Sequence, residues 1–342
     1  MIARHPVVES YLPDARVTVI VPTLAADSAL DECLQSLQRQ TLCDFDVIVV
    51  DNSGRHLVSD SGFARVIFNT ENLGFGAAIN QGIRASAAPF VATLNDDAIA
   101  HPGWLHALLE AGESRPDIGM CASQVLMAHD GRLDSAGMLL CPDGSSKQRG
   151  HLEPPSAHAR MQEVLLPSGS AALYRREMLN EIGLFDESFF LYCEDTDLGL
   201  RARWAGWECL YVPEAVVEHR YSHSAGKASA LKAYYVERNR LFLALKNFPA
   251  SLLFDLPFHT CSRYFWHAVF AMRGHGAASA FQKEGNSARA LPVIVLKAHR
   301  AFFQNAARLW KQRRGIKRRL TAKQFRRLLA RFSITPRQVA AL

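Results

Sequence analysis

The first hundred residues alternate two hydrophobic patterns. Val17–Pro22 (VTVIVP) is an almost unbroken apolar run ended by proline, as in a strand buried on both faces. Leu30, Cys33, Leu34 and Leu37 then recur at i, i+3, i+4 and i+7, one face of a helix. A second buried strand is expected at Phe45–Asp51, followed by the turn formers Asn52, Ser53 and Gly54, and a short third at Ala64–Phe68. Gly74–Ala85 fits a helix with a glycine-rich entry, and Phe90–Leu94 a fourth strand ending at Asn95-Asp96-Asp97. Four such units in about 100 residues predict a doubly wound α/β sheet. Ligands of such sheets sit beyond the carboxyl ends of the strands, so Thr23, Asp51, Asn52, Asn69, Asp96 and Asp97 should converge on one crevice.

Further along, His129–Ala157 is irregular, and order returns with Leu165–Tyr174, a helix near Arg176–Ile182 and another over about Asp195–Ala205. Glu208–Val217 reads as a strand ending at Glu218-His219. Beyond Tyr221 the pattern is helical. Phe248–Met272 carries too many charges and prolines for a membrane span and suits an interfacial helix pair. Thr321 and Gln324 have the spacing of a capping box, and Phe325, Leu328, Leu329 and Phe332 then form an apolar stripe among Lys323, Arg326, Arg327 and Arg331.

Composition changes this picture in one respect. The 342 residues carry +6, with 49% hydrophobic and 21% charged residues, the balance of an ordinary globular protein. Residues 285–342 hold 15 Lys or Arg and no acid, which leaves 24 basic against 33 acidic residues in the rest. An acidic body with a basic tail suggests an anionic partner: a membrane surface, a nucleic acid or an acidic protein; a merely solvated helix is the plain alternative. The interleaved apolar stripe favours lipid, and no nucleic-acid-binding motif is present. Seven cysteines without a CxxC pair indicate reduced thiols. No signal peptide or apolar run of about 18 residues is visible, so a cytosol-facing protein is expected.

Several groups suit chemistry. Asp96-Asp97 at a strand end fits a hard cation such as Mg²⁺ or Mn²⁺, although Asp97 fits equally as a cap for a helix entered at His101-Pro102. Asn72-Leu73-Gly74-Phe75-Gly76 suits a phosphate at a helix N-terminus, or close helix–strand packing. Glu194, Asp195 and Asp197 follow the aromatic run FFLYC, where a carboxylate beside apolar side chains can accept a proton near neutral pH. His219 at a strand end could complete a metal's coordination.

In order, VTVIVPT, VIVVDNSG, NLGFGAAINQGI, LNDD, PSGSAALYRRE, GLFDESFFLYCEDTDLGLRARWAGW and VPEAVVEH resemble family-two glycosyltransferases of the GT-A fold, closest to the rhamnosyltransferase-like branch. The likeness covers about residues 16–245. It implies an α/β GT-A catalytic domain with a doubly wound mixed sheet over residues 1–245, and a helical, basic extension over 246–342. It also implies inverting transfer of a sugar from a nucleotide-activated donor to an acceptor hydroxyl. Thr23, Asp51, Asn72, Gly74 and Asp96 would bind the donor; Asp97, with Asp96 and His219, would hold the metal; Asp195 would be the base, with Glu194 beside it. Tyr234-Tyr235 and Arg238-Asn239 resemble a segment common after the catalytic domain of this branch. The expected donor is dTDP-rhamnose, with UDP-galactofuranose, UDP-glucose, a GDP-sugar or a non-catalytic binding role as alternatives. The expected acceptor is a glycan or lipid-linked glycan of the bacterial cell surface. Residues 285–342 would then hold the enzyme on the cytoplasmic face of the inner membrane.

Overall fold

The computed structural model describes residues 14–25, 27–59, 62–220, 229–287 and 290–342. The strands are β1 (Val17–Thr23), β2 (Phe45–Asp51), β3 (Arg65–Phe68), β4 (Phe90–Leu94), β5 (Ala98–Ala100), β6 (Ile118–Met127), β7 (Leu133–Ser135), β8 (Met138–Leu140), β9 (Ser146–Gln148), β10 (Gln162–Glu163), β11 (Ala171–Arg175) and β12 (Glu208–His219). The helices are α1 (Ser28–Gln38), α2 (Phe75–Ala85), α3 (Trp104–Glu113), α4 (Arg176–Ile182), α5 (Glu194–Trp204), α6 (Ala230–Asn247), α7 (Ala250–Met272), α8 (Ala277–Lys283), α9 (Ala290–Gly315), α10 (Ala322–Arg331) and α11 (Pro336–Ala341).

One mixed sheet runs in the order β10-β12-β6-β11-β4-β1-β2-β3, with β5 on β12 and β7 on β6. The β4-β1-β2-β3 half is parallel, as the apolar runs predict, and its register sets Thr23 beside Asp51 at the strand ends. β11 enters antiparallel between β4 and β6, and β12 lies parallel to β6. α1 and α3 cover one face; α2, α4 and α5 cover the other. Gly82 lets α2 press onto β1, since a Cβ there would meet Ile20 at 2.7 Å.

Two expectations about local structure are corrected. Phe248–Met272 is not a pair of helices: α7 is continuous through Pro257, after the break at Phe248-Pro249. Asp97 does not cap a helix, because β5 intervenes and α3 starts only at Trp104, after Gly103. Among the described residues no helix is long and apolar enough to cross a membrane.

The largest correction concerns the tail. The capping box at Thr321 and Gln324 forms as expected. The apolar stripe that follows, however, faces protein and not lipid. Phe325 is fully buried and stacks on Trp204 with ring centroids 3.8 Å apart; Leu329 and Phe332 are buried beside it. The backbone continues the seal, with Leu140 N–H donating to Phe332 O and Ile334 N–H to Leu140 O. The C-terminal end of α5 and the β8–β9 hairpin leave an apolar surface, and this stripe covers it. The same core takes residues from either side of the expected boundary at 245/246, including Phe242, Phe248 and Leu309.

Candidate active site

The carboxyl end of β4 delivers Asn95, Asp96 and Asp97, and β12 returns alongside to deliver His219. Antiparallel pairing of β5 with β12 sets His219 opposite Ala98, and Arg220 N–H donates to Asp97 O at 3.1 Å. His219 Nε2 is therefore 3.1 Å from Asp97 Oδ1, and its Nδ1 is 3.2 Å from Asp134 Oδ2 on β7. All three side chains are buried. Burial alone would depress the imidazole, but hydrogen bonds to Asp134 and Asp97 push it up to about 10. Burial raises Asp96 while a hydrogen bond with Thr23 opposes the rise, so these two expected donor residues do meet.

This donor set suits a divalent cation. Asp134 holds the Nδ1 proton, the outer partner that orients a metal-bound histidine, and Nε2 faces a carboxylate oxygen. A cation between Asp97 and Nε2 would replace the Nε2 proton. Among the described residues no group of three or more His, Cys, Asp or Glu side chains is arranged to hold an ion. The remaining positions would fall to substrate phosphates and water, as Mg²⁺ and Mn²⁺ sites allow.

Asp51 ends β2 as expected, but its carboxylate is committed to the chain. Oδ1 accepts from Ser53 N–H at 3.0 Å, and Oδ2 from Leu57 and Val58 N–H at 2.6 and 3.1 Å. Against the effect of burial, these bonds hold the carboxyl below its usual range. Asn52, expected at the same strand end, organises the neighbouring loop. Its Oδ1 accepts from Asn69 Nδ2 and Leu73 N–H, and its Nδ2 donates to Asn72 Oδ1 at 3.0 Å. Asn72 Oδ1 in turn accepts Gly74 N–H at 2.9 Å, so Asn72 and Gly74 stand together at the entry to α2.

Phe190, Tyr192 and Cys193 all have positive φ, at 63°, 68° and 67°. Non-glycine residues there cost about 1–3 kcal/mol each and persist only where the surroundings impose them. Asn239, completely buried in α6, imposes them here: Nδ2 donates to the carbonyls of Phe189, Leu191 and Tyr192 at 2.9, 2.8 and 2.7 Å. Arg238 adds donors to Ser188 and Phe189 carbonyls.

This loop launches α5 with Glu194 and Asp195 in its first turn. Asp195 is half-buried; Oδ2 accepts Gly169 N–H at 2.9 Å and Oδ1 accepts Thr196 N–H at 2.6 Å. Burial raises its carboxyl against these bonds. Glu194 is buried, its Oε2 has no hydrogen-bond partner among the described residues, and burial with the charge of Asp195 pushes it up to about 8. Asp197, the third acid, points away and pairs with Arg201 and Lys246. Asp195, held by two backbone N–H groups beside Glu194, can take a proton from a hydroxyl when it is charged.

Comparison with known proteins identifies the family and the fold. Residues 13–242 match the family model described as "Glycosyltransferase like family 2". A protein of Mycobacterium tuberculosis named N-acetylglucosaminyl-diphospho-decaprenol L-rhamnosyltransferase is 31% identical over 256 residues, covering 66% of this chain and 83% of that protein. The Bacillus subtilis protein YwdF, an uncharacterised glycosyltransferase, is 26% identical and covers 63% and 78%. Two solved structures share the fold. GalNAc-T7, solved with UDP, GalNAc and Mn²⁺, superposes with a TM-score of 0.58 at 14% identity over 73% of this chain and 51% of that one. The mannosyltransferase PcManGT of Pyrobaculum calidifontis, solved with GDP-Man and Mn²⁺, gives 0.50 at 18% identity over 88% and 84%. The mixed sheet with its acidic strand ends is thus the GT-A architecture, and the chain belongs to glycosyltransferase family 2.

Proposed function

We propose that this protein is an inverting glycosyltransferase that moves L-rhamnose from dTDP-rhamnose to a hydroxyl of a lipid-linked glycan in cell-surface polysaccharide assembly. The observation that carries this reading is the setting of Asp195, fixed by two backbone N–H groups in a site that favours proton uptake. Asp195 orients the acceptor hydroxyl and removes its proton as the oxygen attacks the anomeric carbon from the face opposite the nucleotide. The carbon–oxygen bond to the diphosphate breaks and the nucleotide leaves with the electron pair. Asp97 and His219, with Asp96 beside them, would hold Mg²⁺ or Mn²⁺, which when bound supplies charge neutralisation for the departing diphosphate. Thr23, Asn72 and Gly74 line the donor side, and Asp51 shapes the wall that receives the base. The first choice of sugar and of a diphospho-lipid acceptor rests on the printed name of the mycobacterial relative.

We place the enzyme on the cytoplasmic face of the inner membrane, though not through the stripe at Phe325. α7 presents Phe254, Phe258, Cys261, Phe265 and Met272 along one exposed face, with Phe254 77% accessible. α9 exposes Leu296, Phe303 and Trp310 with Lys297, Arg300, Lys311 and Arg314, and has no acid. Apolar patches of this extent are rare on monomers, and the basic one suits an anionic leaflet.

The test is transfer of radiolabelled sugar to a diphospho-lipid-linked acceptor from dTDP-rhamnose, UDP-galactofuranose, UDP-glucose and GDP-mannose in turn. Turnover with dTDP-rhamnose, lost in EDTA and reduced about 10²-fold or more in Asp195→Asn with donor binding retained, is expected. Preference for another donor overturns the sugar assignment, and no turnover with any donor overturns the enzymatic reading.

A further inference from the structure

One face of α7 is apolar, exposed and built at a regular spacing. Phe254, Phe258, Cys261, Phe265, Ala268 and Met272 are separated by 4, 3, 4, 3 and 4 residues, and all six are exposed. At about 100° per residue they fall within an arc of about 80°, the narrow seam of a helix that packs on another helix. Phe258, Cys261, Phe265 and Ala268 all follow Pro257, so the middle of the seam lies on one uninterrupted stretch. The seam itself carries no charge. Its flank carries two: Asp255 near the start of α7 and Arg273 at its C-cap are both exposed, and a spacing of about five turns sets them on the same side. Neither makes an ion pair among the described residues. The exposed face of α9 differs, with Lys297, Arg300, Lys311 and Arg314 among its apolar side chains, so the pull of an anionic leaflet falls on α9 and not on α7.

We propose that α7 is the interface of a two-fold dimer, in which it packs antiparallel on α7 of a second copy of this chain. A two-fold contact is self-complementary: where residue i of one copy meets j of the other, j also meets i. Antiparallel pairing centred on position 263 sets Phe254 opposite Met272, Phe258 opposite Ala268 and Phe265 opposite Cys261. Each phenylalanine then meets a smaller or more pliant side chain, the alternation that lets two seams interdigitate. Parallel pairing would set Phe258 on Phe258 and Ala268 on Ala268, a bulge followed by a gap. The charges agree with the antiparallel choice, because it brings Asp255 of each copy towards Arg273 of the other. The area suffices as well. Phe254, Phe258, Phe265 and Met272 are between 60% and 81% exposed, which leaves about 550 Å² per copy, and about 1,100 Å² for the pair clears the roughly 1,000 Å² of a specific interface. The proposal does not depend on the transferase reading.

The experiment is light scattering after gel filtration of the full chain at micromolar concentration. The wild type is expected to have the mass of two chains, and Phe258→Glu with Phe265→Glu the mass of one. Both positions are exposed, so that variant should melt within a few degrees of the wild type. Charge reversal tests the register. Asp255→Arg and Arg273→Asp should each weaken dimerisation about three- to tenfold in sedimentation equilibrium, since each dimer has two such pairs, and together they should restore it. A monomeric wild type overturns the proposal. So does a dimer that survives Phe258→Glu with Phe265→Glu, or one lost instead in Leu296→Glu with Phe303→Glu, which puts the interface on α9. Loss of vesicle pelleting in the α7 variant with no change of mass assigns the face to lipid and also overturns it. Failure of the double reversal to recover what each single reversal loses overturns the antiparallel pairing.

Discussion

The carbonyl of Phe190 occupies the space in which a side chain on Gly74 would stand. A Cβ at Gly74 would lie 2.3 Å from that oxygen, which also accepts Phe75 N–H at 2.8 Å. Gly74 has φ +88°, so both its conformation and its neighbour exclude a side chain. The Asn72–Gly74 loop and the loop that launches α5 are thereby locked backbone to backbone. Gly74→Ala is expected to displace Phe190, lowering kcat/KM at least about tenfold and stability by about 1–3 kcal/mol. Steady-state kinetics with urea unfolding checks both, and unchanged kinetics would refute the coupling.

Asn239 should act on catalysis without touching substrate. Asn239→Leu takes the Asn239 donor from the Leu191 and Tyr192 carbonyls, each an unmet polar group costing about 1–3 kcal/mol when buried, while Phe189 keeps its bond from Arg238. The expected result is a total loss of at least about 2 kcal/mol and a lower kcat, with donor KM little changed. Loss of stability with kcat intact would make the clamp purely structural.

Glu194 gives a pH signature. Its folded pKa of about 8 lies above the ordinary 4.5, so between those values the folded chain keeps a proton that the unfolded chain releases. Glu194 therefore costs progressively more stability as pH rises from about 5 to 8. Glu194→Gln should equal wild type near pH 4 and gain on it by on the order of 2 kcal/mol at pH 8.5. Denaturant unfolding across that range measures the difference; a constant offset would exclude a buried, protonated Glu194.

Two substitutions separate the tail's roles. Phe325→Ala opens a cavity against Trp204 and should cost about 3–5 kcal/mol with little effect on vesicle binding. Leu296→Glu with Phe303→Glu alters side chains already exposed and should leave the melting temperature within a few degrees while sharply reducing pelleting with anionic vesicles. If Phe325→Ala alone abolishes vesicle binding in a folded protein, the membrane face has been misplaced.

The parallel half of the sheet was legible because strands buried on both faces need continuous apolar runs, and β1, β2 and β4 have them. β6 was not foreseen: it is buried at every position but Leu126, yet carries Ser123 and Gln124 within its run. Asp97, Asp195 and His219 stood out because they sit at ends of regular elements, where a side chain's destination follows from the strand or helix before it. Asp134 did not, since an isolated acid in an irregular stretch acquires its role only when β7 pairs with β6 and brings it to His219. The stripe at Phe325 was visible as periodicity, which tells which side of a helix is apolar and is silent on what covers it.

The stack of Phe325 on Trp204 joins residues 121 positions apart and imposes an order on biosynthesis. At about 5–20 residues per second, a ribosome releases Phe325 on the order of ten seconds after Trp204. For that interval the helix bearing Asp195 has an indole with no cover, although its strands are already made. Nascent chains of this protein should therefore depend on chaperones late in synthesis, and a ribosome stalled before codon 322 would leave a product marked for proteolysis by that same bare surface.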